Sequence, residues 1–161
     1  MPTLDCHVHL RTEAEIDRFR ELAPSLNLAG ISLVCTSSQA RINDNPTSFL
    51  ARSRHPEFFR VFAGLDHSAR VTGKTEECLP LAAQVERLAA MGCDGVKLIE
   101  TKPTSRKTLE PPIDGDYYVR MFARLEELGM PLLWHVADPE EFWDPALTPR
   151  WAAERGWGYD A

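Results

Sequence analysis

Five short runs rich in Val, Ile, Leu and Phe, separated by stretches with helical apolar spacing, predict an α/β fold built on a parallel sheet. Two further observations predict a TIM-barrel-type (β/α) sheet. The runs start 27 to 36 residues apart, close to the ~31 residues per unit of an eight-unit barrel of ~250 residues. Two of the helical stretches also close on a glycine that leads straight into the next run.

The predicted strands are Thr3–Val8, Gly30–Thr36, Phe59–Leu65, Gly95–Ile99 and Pro131–Val136. That is about five of eight βα units, so residues 1–161 are read as the N-terminal part of a single, incomplete barrel domain. The first helix follows Thr12-Glu13-Ala14-Glu15, a capping-box pattern, with Ile16, Phe19, Leu22, Ala23 and Leu26 at helical spacing. Asn45-Pro46 sets a capping side chain ahead of a proline and predicts a helix from Pro46 to about His55. Leu81, Val85, Leu88 and Ala89 form a stripe ending at Gly92. Tyr118, Met121, Phe122, Leu125 and Leu128 form another, ending at Gly129. Residues 102–115, with three prolines, read as a long loop after the fourth strand, at the end of a barrel where loops line active sites. No sixth strand can be drawn after Val136, which leaves the first and fifth strands as open edges that something must cover.

Composition narrows the function classes. With 161 residues, 43% of them hydrophobic, the chain can bury one ordinary core. Net charge is -6 and no long run of Lys or Arg occurs, which excludes a phosphate-tracking surface and predicts no nucleic-acid partner. No apolar stretch approaches the ~20 residues of a membrane span. The first residues show neither a basic leader nor an apolar signal core, so a cytoplasmic protein is expected. Cys6, Cys35, Cys78 and Cys93 form no C-x-x-C pair and are expected to be buried free thiols, Cys6 as a small apolar filler.

Asp5-Cys6-His7-Val8-His9 carries the strongest chemical signal. Residues two apart on a strand share a face, so His7 and His9 present two imidazoles ~7 Å apart at the Cα level, compatible with one divalent metal. Zinc is the expected ion, with manganese or iron as alternatives. An H-x-H pair in an arbitrary sequence is an ordinary pair of histidines. Here the position at a strand end, the preceding aspartate on the same face and the helix cap that follows favour the metal.

The segments Leu4-Asp5-Cys6-His7-Val8-His9-Leu10, Asp94-Gly95-Val96-Lys97-Leu98 and Pro131-Leu132-Leu133-Trp134-His135-Val136 resemble the amidohydrolase superfamily, in its amidohydrolase-related branch that also contains nonoxidative decarboxylases. With their spacing they cover nearly the whole chain as the first five strands of such a barrel. The resemblance implies two metal ligands from strand one, matched by His7 and His9, and a third histidine from strand five, matched by His135. A histidine from strand six and an aspartate from strand eight would lie beyond Ala161. Lys97, costly to bury as a charge, could be carboxylated and bridge a second metal as in some relatives, form an ion pair, or bind a substrate carboxylate.

Lys102, Arg106 and Lys107 could clamp an anionic small-molecule substrate from the loop after strand four, unless that loop is simply solvated. Asp66 and His67 would sit on the same rim. The expected activity is hydrolysis of an amide, ester or lactone by a metal-activated water. A metal-dependent decarboxylase and a non-catalytic fragment are the alternatives, and homo-oligomerisation is left open. A phosphoesterase of the polymerase-and-histidinol-phosphatase type would need a Ser- and Asp-rich loop where Arg11-Thr12-Glu13 stands. A TatD-like nuclease would want a glutamate where Lys97 stands.

Overall fold

A computed structural model describes residues 1–38, 41–42, 44–74, 78–102, 105–106 and 109–159. Its centre is a five-stranded, all-parallel sheet of β1 (Thr3–Val8), β2 (Leu28–Val34), β3 (Phe59–Gly64), β4 (Gly95–Leu98) and β5 (Leu132–Trp134), adjacent in chain order. The order never reverses, so the sheet is singly wound, as a barrel requires, and has no switch point of the doubly wound kind. The helices α1 (Ala14–Leu22), α2 (Asn45–Arg54), α3 (Ser68–Thr72), α4 (Leu81–Ala90) and α5 (Asp116–Glu127) connect the strands. After β5 come a 3-10 turn (Glu140–Trp143) and the short α6 (Arg150–Ala153).

Two clusters bury the helix side of the sheet. Ile31 and Leu33 of β2 pack with Leu10, Ile16, Ala51 and Phe59 under α1 and α2. Val61, Ala63, Val96 and Leu98 of β3 and β4 pack with Leu81, Val85, Tyr118, Met121 and Leu125 under α4 and α5. Strand alternation therefore turns the other set, including His7, Ser32, Phe62, Lys97 and Leu133, to the opposite face.

Polar side chains tie the elements. Asp94 accepts from the Val61 N–H at 2.8 Å and pairs with Arg52, joining β3, β4 and α2. The predicted cap Asn45 lies inside α2, where Asp44 holds the cap position, and exchanges two hydrogen bonds with the Gly64 backbone at 2.8 and 2.9 Å. The capping box forms in half: the Glu15 carboxylate accepts from the Arg11 and Thr12 N–H groups, while the helix starts without a side-chain cap. Gly92 and Gly129 take the left-handed conformation expected of helix stops, with φ of 84° and 61°.

β1 departs from the rest. Leu4 is 66% exposed and Cys6 is exposed, so the expected burial of Cys6 does not occur: nothing among the described residues covers the outer side of this edge strand. Cys35 is buried and Cys78 and Cys93 are half-buried, all as free thiols. Among the described residues no helix is long and apolar enough to cross a membrane.

Candidate metal centre

β1 and β2 fall out of step just where the histidines stand. Asp5 pairs with Ile31 and Val8 with Leu33, so three steps on β1 face two on β2, a bulge that includes His7. The Asp5 carboxylate accepts from the His7 N–H at 3.1 Å and braces it. The rings of His7 and His9 lie 5.2 Å apart at their centroids, nearly perpendicular.

His9 is oriented from the neighbouring strand end. Its Nδ1 lies 2.6 Å from the Val34 carbonyl oxygen. A carbonyl can only accept, so Nδ1 must carry the proton and Nε2 keeps its lone pair. That is the arrangement in which a histidine ligates a metal while its other nitrogen is held by a carbonyl.

Lys97, 3% exposed and next to last in β4, points to the same face. Among the described residues its ammonium has no hydrogen-bond partner. Burial lowers its pKa, and Glu100 works in the opposite direction. The pKa of His7 is lowered as well, first by burial, then by the positive charges of Lys97, His9 and His135, with Asp5 opposing. His7, His9, Lys97 and His135 thus stand within electrostatic reach of one another at the C-terminal end of the sheet. They lie short of closing on a point: among the described residues no three His, Cys, Asp or Glu side chains are close enough together to hold a metal ion.

His135 follows β5 directly and its N–H donates to the Leu98 carbonyl at 2.9 Å. Its ring turns to Asp138, with Nε2 at 2.9 Å from the carboxylate. The donor set suits a divalent metal nonetheless: two imidazoles side by side, one with its tautomer set by a carbonyl, and a third three residues from a carboxylate.

The two candidate substrate cations are both engaged. Lys102 Nζ stands 3.4 Å from Asp138 and 4.6 Å above the Trp157 ring. Arg106 gives its terminal nitrogens to the carbonyls of Glu110 and Pro111 in its own loop. Lys107 lies outside the described residues.

No protein-family model and no curated protein matches the chain. Solved structures do. A probable 2-pyrone-4,6-dicarboxylic acid hydrolase from Acinetobacter baumannii, with citric acid bound, aligns at TM-score 0.58 and 16% identity over 84% of this chain and 49% of that one. A TIM-barrel protein from Bordetella bronchiseptica aligns at TM-score 0.60 and 12% identity over 83% and 55%. The 5-carboxyvanillate decarboxylase from Novosphingobium aromaticivorans, with manganese and 4-hydroxy-3-methoxy-5-nitrobenzoic acid bound, aligns at TM-score 0.58 and 14% identity over 98% and 55%. The fold is an incomplete (β/α) barrel. The chain spans about half the length of the solved structures it matches.

In such a barrel the C-terminal ends of the strands carry the chemistry, which is where His9, Lys97 and His135 lie. Beside them is a group that the sequence only half disclosed. His67, placed on the rim by its position after β3, is 1% exposed and reaches Glu100 at 2.6 Å and the Tyr117 hydroxyl at 2.9 Å. Glu100, fully buried, and the role of Asp138 escaped the sequence reading. The spacings Lys97-x-x-Glu100 and His135-x-x-Asp138 were signals for both. The contact of Tyr159 with Asp138 joins residues 21 apart and had no such signal. A cleft of about 620 Å³ between α2 and α4 is lined among others by Asn45, Phe49, Asp66, Leu79 and Met91, and by none of the candidate metal ligands.

Proposed function

We propose that the chain is the N-terminal, metal-binding part of an amidohydrolase-type enzyme that hydrolyses an amide, ester or lactone of a small anionic molecule. The observation that carries this reading is the gathering of His7, His9, Lys97 and His135 on one face and at one end of the sheet, with the His9 lone pair fixed by Val34. A divalent metal bound there, zinc or else manganese or iron, would polarise the carbonyl and make water acidic enough to attack. Burial and then the nearby cations oppose protonation of His7, and the Val34 carbonyl holds the proton of the His9 ring on Nδ1. Lys97, buried and without a hydrogen-bond partner among the described residues, would serve either as a carboxylated bridge to a second metal or as an ammonium that meets a substrate anion. Asp138 steadies His135. The sixth-strand histidine and the proton-moving aspartate implied by the amidohydrolase resemblance would come from the further strands of a full barrel.

Decarboxylation of an aromatic acid is the second reading. It is favoured by the decarboxylase alignment, which takes in 98% of this chain against 84% for the hydrolase. Metal analysis of the purified chain after incubation with zinc or manganese, beside the His9→Ala variant, tests the shared claim: about one ion per wild-type chain supports it and none contradicts it. Lactone opening or carbon dioxide release by the metal-loaded protein, assayed on a pyrone dicarboxylate and a hydroxybenzoate, separates the two reactions.

A further inference from the structure

Asp138 is met by three side chains from three parts of the molecule. His135 Nε2 lies at 2.9 Å, Lys102 Nζ at 3.4 Å, and the Tyr159 hydroxyl donates to the second carboxylate oxygen. The carboxylate is 5% exposed. Lys102 comes from the turn after β4 and is steadied over the Trp157 ring. Tyr159 comes from the far end of the segment after β5. That segment folds back on a small apolar cluster of its own, Phe142, Ala152 and Tyr159, and the Tyr159 N–H donates to the Phe142 carbonyl at 2.6 Å.

A carboxylate already accepting from a hydroxyl and an ammonium has no proton to offer. Its bond to His135 therefore requires the ring to donate from Nε2, which leaves Nδ1 as the nitrogen with the lone pair. Without Asp138 the ring could carry its proton on either nitrogen and turn about its Cβ–Cγ bond. His9 is held in the opposite sense, with its proton on Nδ1 and its lone pair on Nε2.

We infer that Lys102, Tyr159 and Asp138 form a positioning chain that fixes the Nε2–H tautomer of His135 and presents its Nδ1 to the cation, an inference that rests on the metal-binding reading above. The segment after β5 is then part of the metal centre, reaching it through Asp138 and Tyr159. Lys102, expected from the sequence to hold a substrate, acts through Asp138. A purely structural clamp would anchor the segment just as well but would leave the His135 proton and metal affinity unchanged.

Long-range ¹H–¹⁵N spectra of imidazole-labelled protein, together with zinc titration against a chelator, test this on the full chain. The wild type should show His135 protonated on Nε2. Asp138→Ala should mix the tautomers and weaken zinc about 10- to 100-fold, the usual effect of losing a carboxylate behind a ligating histidine. Tyr159→Phe, which removes one hydroxyl, should weaken zinc several-fold with an unchanged circular dichroism spectrum. A wild-type proton on His135 Nδ1 would overturn the inference. So would zinc affinity that collapses in His9→Ala yet is untouched in both Asp138→Ala and Tyr159→Phe, a result that leaves the metal reading standing. Zinc binding absent from the wild type overturns both.

Discussion

His9 shows how a single hydrogen bond can decide the chemistry of a residue. The Val34 carbonyl accepts from Nδ1–H, so the neutral ring has its lone pair on Nε2. Removing that ring in His9→Ala should weaken zinc at least ~100-fold, measured by chelator competition, because one of the few nitrogen donors is lost. Glu100 and His67 form the other tightly held pair, at 2.6 Å and out of contact with solvent. One Glu100 oxygen and the Tyr118 hydroxyl have no hydrogen-bond partner among the described residues. Glu100→Ala would strand a His67 nitrogen in the interior and should cost about 1–3 kcal/mol in urea unfolding. The thiols differ in the same residue-level way. Burial pushes Cys35 from 9.0 up to about 12, while Cys6 is exposed. A disulfide reagent should modify Cys6 first and Cys35 last. The folded pKa of Cys35 is raised, so its contribution to stability is full below pH 9, where both states hold the proton. It is lost as pH climbs from 9 towards 12, where the unfolded chain releases the proton first. Melting curves across pH 9–11 should fall less steeply in Cys35→Ala than in the wild type.

At the scale of elements, β4 is buried along its whole length. A Cβ on Gly95 would come within 2.6 Å of the Pro131 carbonyl oxygen and of the Phe62 ring, and the carbonyl belongs to a backbone that cannot step aside. Gly95→Ala should therefore destabilise the chain by about 1–3 kcal/mol, read as a lower urea midpoint at constant slope. The strands themselves were legible in the sequence, because buried parallel strands are short apolar runs. β1 matches its predicted bounds, Thr3–Val8, and the rest differ by one or two residues at their ends. Helix stops at Gly92 and Gly129 were legible for a similar reason: a left-handed residue is needed there and glycine is the residue that supplies it. Asn45 was misread as a cap because capping and bridging use the same amide. Its choice of Gly64 depends on a strand packed against α2, which local sequence does not encode. The bulge at His7 was equally silent, since it is a mismatch between two strands.

For the whole molecule, the strand order carries the argument. Five parallel strands in unbroken chain order bring the C-terminal ends of β1, β4 and β5, where the candidate ligands stand, to the same end of the sheet. The sequence period predicted that architecture, and the similarity to solved barrels of about twice the length bears it out. The direction in which His135 faces could not be read in advance, because Lys102, Asp138 and Tyr159 meet only once the segment after β5 has folded back. Anomalous diffraction from crystals grown with zinc addresses the central claim most directly. The account predicts one zinc peak about 2.0–2.1 Å from His9 Nε2 and His135 Nδ1, with His7 as the third nitrogen. Crystals without a zinc peak between these rings, or with the zinc bound elsewhere while His135 keeps its distance from His7 and His9, would contradict it.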